Sequence, residues 1–382
     1  MLEGIRVIDL GAFITAPLAG MMLADLGADV IKVEPPEGDP FRRGHGGLYG
    51  ATFVAYNRNK RSLALDLGTA KGRRTLARLV ARADVLLDNF RPGVLQRLGL
   101  DPAALARDHP RLVHCSITGF GSLGPYRDRP AFDAVGQALS GIASLFVDPD
   151  DPHCFGPTIT DNVTGMYACT GILGALVERN RTGRGRRVEV NMLESSMAFI
   201  HDAYTNFTAG GVDGDRFSRV RRSQSFAFRC GDGALIALQL STREKFWTEL
   251  LGALAAEDLA ADERFATHQS RVAHFAALET ALAARFAARP RAAWLERLVK
   301  TDVPFAPIHR LGEALQDPQV AALETALALE HGEAGRVVTI ACPVRVDGAR
   351  PRAHNFAPPL VGEHNVEIEA EIEAELGADE AR

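Results

Sequence analysis

The sequence predicts an α/β fold with more than one domain, and three observations lead there. The N-terminal part alternates short apolar runs with helical stretches, the β-α-β rhythm of a parallel sheet crossed by helices. At 382 residues the chain exceeds the size at which a single core usually keeps growing, so two domains are expected. The rhythm changes after about Ser195, where polar, glycine and arginine residues take over.

Ile5 to Leu10 reads as a buried strand, Ala16 to Leu26 as a helix ending at Gly27, and Val30 to Val33 as a second strand. A glycine-rich loop, Arg43 to Gly50, comes next. Ser62 to Leu65 is a short strand, followed by a charged helix from about Lys71 to Arg82. Val85 to Asp88 and Leu112 to Ile117 are strands. Val163 to Asn180 is a long helix whose glycine and alanine suit close packing, and Val188 to Asn191 is a further strand. Tyr204 to Gln224 has weak periodicity and reads as a linker within 201–224. Ser225 to Leu240 predicts a hairpin turning at Gly231-Asp232-Gly233. Helices are expected over Arg243 to Gly252, Val272 to Ala288 and Arg291 to Leu298. Two prolines keep Val303 to Ile308 extended. A short helix at Gly312 to Leu315 and an acidic amphipathic one at Glu367 to Gly377 complete the chain, divided as 1–200, 201–224, 225–302 and 303–382.

Several function classes are excluded at this stage. A hydrophobic content of 46% with 24% charged residues is that of a soluble globular protein. A net charge of −5 leaves no basic footprint for nucleic acid. Five scattered cysteines (Cys115, Cys154, Cys169, Cys230, Cys342) lack CxxC or paired spacing, which fits reduced thiols in a cytoplasmic protein. The N-terminus reads directly as a strand, with no leader pattern, and no apolar run reaches membrane-spanning length. Gly119 to Gly124 matches a dinucleotide fingerprint, but Pro125 and Pro130 bar the helix that must follow. His45-Gly46-Gly47 is an esterase-like loop without any GxSxG nucleophile. The histidines show no HExxH or other metal spacing, so no metal is expected.

One string carries chemistry: Thr160-Asp161-Asn162-Val163-Thr164-Gly165, at the start of the small-residue helix. Aspartate in that place caps a helix. It can also attack a thioester as a nucleophile, a reading that rests on the residues that accompany it. Four further strings stand ahead of it in order: Ala28 to Asp39, Asn57 to Leu67, Asp88-Asn89-Phe90-Arg91-Pro92-Gly93, and Ser116 to Gly121 continuing through Gly124-Pro125-Tyr126 to Arg129-Pro130-Ala131-Phe132-Asp133. Gly183-Arg184-Gly185, Met192-Leu193-Glu194, Asp317-Pro318-Gln319 and Gly362-Glu363-His364 follow. In order and spacing, from Gly4 to about Gly377, the chain resembles the class III CoA-transferase family, the superfamily of formyl-CoA transferase, carnitine CoA-transferase and methylacyl-CoA racemase.

The resemblance implies a Rossmann-like large domain whose parallel sheet is built from both chain ends, a smaller inserted α+β domain, and an obligate homodimer of interlocked chains. It implies acyl-CoA and a small carboxylic acid as substrates, with coenzyme A arriving as substrate and no tightly bound cofactor. Asp161 takes the nucleophile's place, and the helix N-terminus is expected to keep it ionised. Asn89 and Phe90 fall on the loop that contacts CoA, Arg97 on a basic residue near the phosphates, and Leu65 on an apolar contact. Gly44, Gly46 and Gly47 are candidates for an oxyanion site or a lid. Three positions depart from the formyl/oxalyl branch: Ile14 replaces a glutamine, Pro35 an arginine and Gly68 a lysine. Phosphate recognition then falls to other cations, Arg42, Arg43, Lys71 or Arg73, and oxalate is disfavoured as a substrate. Arg219, Arg221 and Arg222 either face a second carboxylate, pointing to dicarboxylate or hydroxy-acid substrates, or form a solvated run. A racemase needs a second base; that branch places a histidine where this chain has Phe132. A non-catalytic CoA-binding homologue is the third reading.

Overall fold

A computed structural model describes residues 1–43, 49–154, 156–351 and 355–380. Six parallel strands form the main sheet: β1 (Arg6–Asp9), β2 (Asp29–Glu34), β3 (Lys60–Ala64), β4 (Val85–Asp88), β5 (Val113–Thr118) and β6 (Arg187–Asn191). Their order is β3-β2-β1-β4-β5-β6, with Val7 of β1 paired to Val30 on one side and Val85 on the other. This is the strand order of a Rossmann sheet. The central strands bury Val7 and Ile8, Val30 and Ile31, and Val85 to Leu87 completely or nearly so, because helices cover both faces, whereas the edge strand β6 is largely exposed. On one face Val7, Val30, Val113 and Cys115 pack against Ala16, Ala19 and Leu23 of helix Thr15–Asp25 and Ala168 and Ile172 of helix Ile159–Thr182. On the other, Ile8, Ile31 and Leu86 meet Leu76 and Leu79 of helix Ala70–Ala81 and Ile368 and Ile372 of helix Asn365–Glu380. Small residues let the two helices of the first face approach closely: a Cβ built on Gly165 would stand 2.7 Å from the Thr15 carbonyl oxygen.

The chain divides into two compact units. The first comprises Met1–Ala143, Cys154–His201 and Ala322–Arg382, so both ends of the chain build it. The sheet itself differs from expectation. All six strands lie between Arg6 and Asn191, and the C-terminal segment adds a helix and a separate antiparallel hairpin.

The second unit comprises Ser144–His153 and Asp202–Ala321. Its sheet is antiparallel: β7 (Ser225–Arg229), β8 (Leu235–Gln239) and β9 (Phe305–Pro307). Aromatic residues fill its core, with Phe226 stacked 4.9 Å from Phe275, Phe228 4.9 Å from Phe286, and Trp294 Nε1 donating to the Phe286 carbonyl. The 201–224 stretch, read as a linker, carries two helices, His201–Gly210 and Ser218–Ser223. The extended segment at 303–308 pairs with β8 as the third strand of this sheet. The hairpin of the first unit is β10 (Ala326–His331) with β11 (Gly335–Ile340). Among the described residues, no helix is long and apolar enough to cross a membrane.

Candidate active site

Strand ends and helix starts converge on Asp161. A cleft of about 370 Å³ is lined by the loop after β1 (Ala12 to Thr15), the loop after β4 (Asn89 to Pro92), the end of β5, Arg127 to Phe132 apart from Asp128, Met192 and Asp161. β1 and β4 are the neighbours at which the strand order reverses, the switch point where open α/β sheets bind ligands. A larger cleft, about 690 Å³, opens at the amino ends of β2 and β3. Several of its charged groups pair with one another, Arg61 to Asp29 and Glu367 and His331 to Glu363, and it shares no residue with the Asp161 cleft. Chemistry, not size, picks the smaller one.

Asp161 is not a cap. The helix begins at Ile159 with Thr158 as N-cap, which places Asp161 inside the first turn. Asn162 Nδ2 donates to the Thr158 carbonyl at 2.5 Å and to Thr158 Oγ1 at 3.0 Å. Among the described residues, no group donates to the Asp161 carboxylate. Its backbone N–H donates to Asp133 Oδ1 at 3.1 Å, and Asp133 Oδ2 in turn accepts from the buried Gln137 at 2.5 Å. Burial, and after it the charge of Asp133, push the Asp161 carboxyl up from 3.8 to about 6. The expected effect of the helix N-terminus is therefore outweighed: favourable peptide dipoles do not offset lost hydration and a like charge. The group is still mostly ionised at neutral pH, but poorly solvated.

The residues anticipated for CoA separate. Asn89 and Phe90 line the cleft with Asp161. The Asn89 side chain is consumed internally: Nδ2 donates to the Ala12 carbonyl (2.7 Å) and Thr15 Oγ1 (3.0 Å), and Oδ1 accepts the Ala12 N–H (3.0 Å). Leu65 is only 8% exposed, packed in the core with Leu63 and Leu76, and does not line the cleft. Arg97 is exposed at the end of the short helix Val94–Arg97, also outside the cleft lining. Arg42 is fully buried, bonded to Glu34 at 2.6 and 2.7 Å and stacked 3.7 Å over Phe53, so it is unavailable to a phosphate. Arg43, Lys71 and Arg73 are absent from the lining, and Arg73 donates to the carbonyls of Leu67 and Gly68. Gly44, Gly46 and Gly47 lie outside the described residues. Arg219, Arg221 and Arg222 belong to the second unit, where Arg221 pairs with Asp215 and Arg222 bonds Asn206.

Three cations that sequence reasoning passed over do line the cleft: Arg91, Arg127 and Arg129. Arg91 and Arg129 lie inside the quoted strings, and that was the available signal. Arg91 is exposed and forms no ion pair with a described residue, while Arg129 stacks 3.9 Å over Tyr126. Much of the remaining lining is apolar. Phe13 stands edge-on to Phe41 (5.2 Å) and Phe132 (5.8 Å), beside Ile14, Ala131 and Met192. Among the described lining residues there is no histidine to act as a second base.

Comparison with known proteins gives the same answer throughout the chain. Residues 2–365 match the model of CoA-transferase family III. The succinyl-CoA–D-citramalate CoA-transferase of Chloroflexus aurantiacus is 34% identical, covering 96% of this chain and 92% of its own. The succinate–glutarate CoA-transferase of Agrobacterium fabrum is also 34% identical, with 97% and 96% covered. The crystal structure of a CAIB/BAIF family protein from Brucella suis superimposes with a TM-score of 0.86 at 34% identity, covering 97% of this chain and 98% of that one. With a half-buried carboxylate at the switch point of its Rossmann sheet and a match along nearly its whole length, the chain belongs to CoA-transferase family III, and the protein is an acyl-CoA:carboxylate CoA-transferase.

Proposed function

We propose that this enzyme moves CoA between two dicarboxylic acids through covalent intermediates on Asp161. The observation that carries the reading is the Asp161 carboxylate itself, half-buried, without a hydrogen-bond donor among the described residues and open to a cleft holding three arginines. A carboxylate stripped of donors keeps its electron density for attack. Asp161 Oδ adds to the thioester carbonyl, the C–S bond breaks, and an acyl-aspartyl anhydride forms with free CoA thiolate. The thiolate attacks the aspartyl carbonyl, the donor acid leaves as carboxylate, and aspartyl-CoA thioester remains. The acceptor carboxylate adds to that thioester, expelling the thiolate and forming a second anhydride. The thiolate then takes the acceptor's carbonyl, giving the product acyl-CoA and free Asp161. Each step exchanges one activated acyl group for another, so splitting the exchange this way needs no external energy source.

Arg91, Arg127 and Arg129 supply the positive charge for the CoA phosphates and for a distal carboxylate, since guanidinium groups suit both. The dicarboxylate assignment leans on relatives named for succinate, glutarate and citramalate. Phe132 in place of a base disfavours racemase chemistry. The active protein is read as an interlocked homodimer, and the five free cysteines fit a cytoplasmic enzyme. The test is trapping. Succinyl-CoA without acceptor, quenched with hydroxylamine or borohydride, marks Asp161 by mass in the wild type and leaves Asp161→Ala unmarked and inactive. Transfer by Asp161→Ala at the wild-type rate refutes the proposal, and α-deuterium exchange without transfer makes it a racemase.

A further inference from the structure

The string Asn57-Arg58-Asn59-Lys60-Arg61 sends no group into the Asp161 cleft. Its buried charges, Arg58 and Lys60, turn inward. Lys60 Nζ uses all three protons: to Asp9 Oδ2 (2.8 Å), the Pro17 carbonyl (2.8 Å) and Asn57 Oδ1 (2.9 Å). Asp9 Oδ1 accepts the Gly11 N–H at 2.8 Å, and Lys32 Nζ donates to the Gly11 carbonyl (2.7 Å) and Asp39 (2.9 Å). Asp9 and Lys32 are fully buried and Lys60 is 3% exposed. Both ends of residues 11–17 are therefore tied by buried charges, and Asn89 ties Ala12 between them. The fold leaves room for this pair: a Cβ on Gly20 would stand 2.8 Å from Asp9 Oδ2 and 3.3 Å from Lys60 Nζ. In the middle of the tied stretch Phe13 holds a left-handed φ of 65°, which a bulky residue keeps only when its surroundings impose it.

Stability alone gives little reason for such a network. Buried ion pairs replaced together by apolar groups of similar volume are often neutral in stability. Burial pulls the Lys60 ammonium down to about 8 in spite of Asp9. What the network does is local and directional: it fixes the backbone on either side of Ala12 to Thr15, four residues that line the cleft together with Asp161.

We propose that Lys60 is a positioning residue for CoA transfer, acting with Asp9 and Lys32 to hold the 11–17 backbone against Asp161. The proposal rests on the reaction proposed above, and its test reads the loop separately from the chemistry. Lys60→Met alone strands a buried carboxylate and risks the fold, so the deciding variant is Asp9→Asn with Lys60→Met. That pair removes both charges together, keeps an oxygen for the Gly11 N–H and frees the Pro17 carbonyl. The variant is expected to fold, and amide exchange at Gly11 to Thr15 accelerates about tenfold or more while β4 and β5 stay protected. With succinyl-CoA and glutarate, kcat falls about tenfold or more and KM changes less than about threefold, as displacement of a reacting wall predicts. Wild-type kcat, unchanged exchange at 11–15, or failure of the double variant to fold overturns the proposal, the last because the network is then required by the fold itself. If wild-type enzyme moves no CoA between these acids, the functional reading fails, and the exchange measurement still decides the positioning role.

Discussion

The acidic limb of the pH–rate profile measures the environment of Asp161 directly. An ordinary aspartate ionises near 3.8; here burial, then Asp133, raise the value to about 6. The difference corresponds to about 3 kcal/mol against the charged form. The proposed attack by Asp161 requires it ionised, so kcat/KM for CoA release from acyl-CoA is expected to rise through about pH 6 and to drop about tenfold by pH 5. Asp133→Asn removes the like charge and retains an oxygen for the Asp161 N–H. Because burial is the larger cause, the limb then moves down by less than half the displacement and stays above about 5. The stability sign follows from the same shift. The folded pKa of this acid lies above its unfolded value, so its cost is fully present above about 6 and disappears as pH falls toward 4. Asp161→Asn is therefore expected to raise the thermal midpoint at pH 7 while abolishing transfer. A wild-type limb near 4, with thermal stability of Asp161→Asn equal to wild type, refutes the argument that this carboxylate is held in a poorly hydrated site.

Three other perturbations follow from contacts already described. Asn89→Ala removes every side-chain bond to Ala12 and Thr15; kcat/KM for acyl-CoA is expected to fall by about tenfold or more, in steady-state assays, with a folded protein by circular dichroism. Arg42→Leu leaves Glu34 buried without its guanidinium, a loss of about 3–5 kcal/mol in urea unfolding. Gly165→Ala gains helix propensity yet drives a methyl to 2.7 Å from the Thr15 carbonyl, so a net loss of about 1–3 kcal/mol is expected by the same measurement.

What was readable in the sequence is what burial imprints on it. The central strands show through apolar residues such as Val7, Ile8, Val30, Ile31 and Val85 to Leu87, because both faces are covered there, and the β7–β8 hairpin shows because apolar alternation brackets Gly231-Asp232-Gly233, with Gly233 at a φ of 81°. The helices His201–Gly210 and Ser218–Ser223 bury none of their residues, so there is no apolar stripe to find and composition alone reads as linker. The β10–β11 hairpin has only Leu329 buried among its strand residues, which leaves the period of two faint. At the site, the position of Asp161 was legible but its surroundings were not. Asp133 lies 28 residues away in sequence, and nothing local says that its oxygen meets the Asp161 N–H. Arg42 misled for a similar reason: a cation beside a glycine-rich loop looks free until Glu34 is found beneath it.

The order β3-β2-β1-β4-β5-β6 opens the same crevice whether a dinucleotide or an acyl thioester is to be bound, yet the chain fills it differently. A dinucleotide fold spends its first loop on glycines, so that a pyrophosphate can meet the helix N-terminus. Here the loop after β1 carries Phe13 and Ile14 in place of such glycines, both lining the cleft, and Asn89 from the loop after β4 fixes it through Ala12. The loop is therefore a wall of the cleft. The proposed nucleophile, Asp161, comes from a different element, the first turn of the helix Ile159–Thr182, and its backbone N–H is fixed by Asp133. Because wall and nucleophile sit on separate supports, each with its own polar anchor, movement of the 11–17 loop should change how fast Asp161 reacts without changing the pH at which it ionises. A Lys60 variant that shifts the acidic limb by more than about half a unit contradicts that separation.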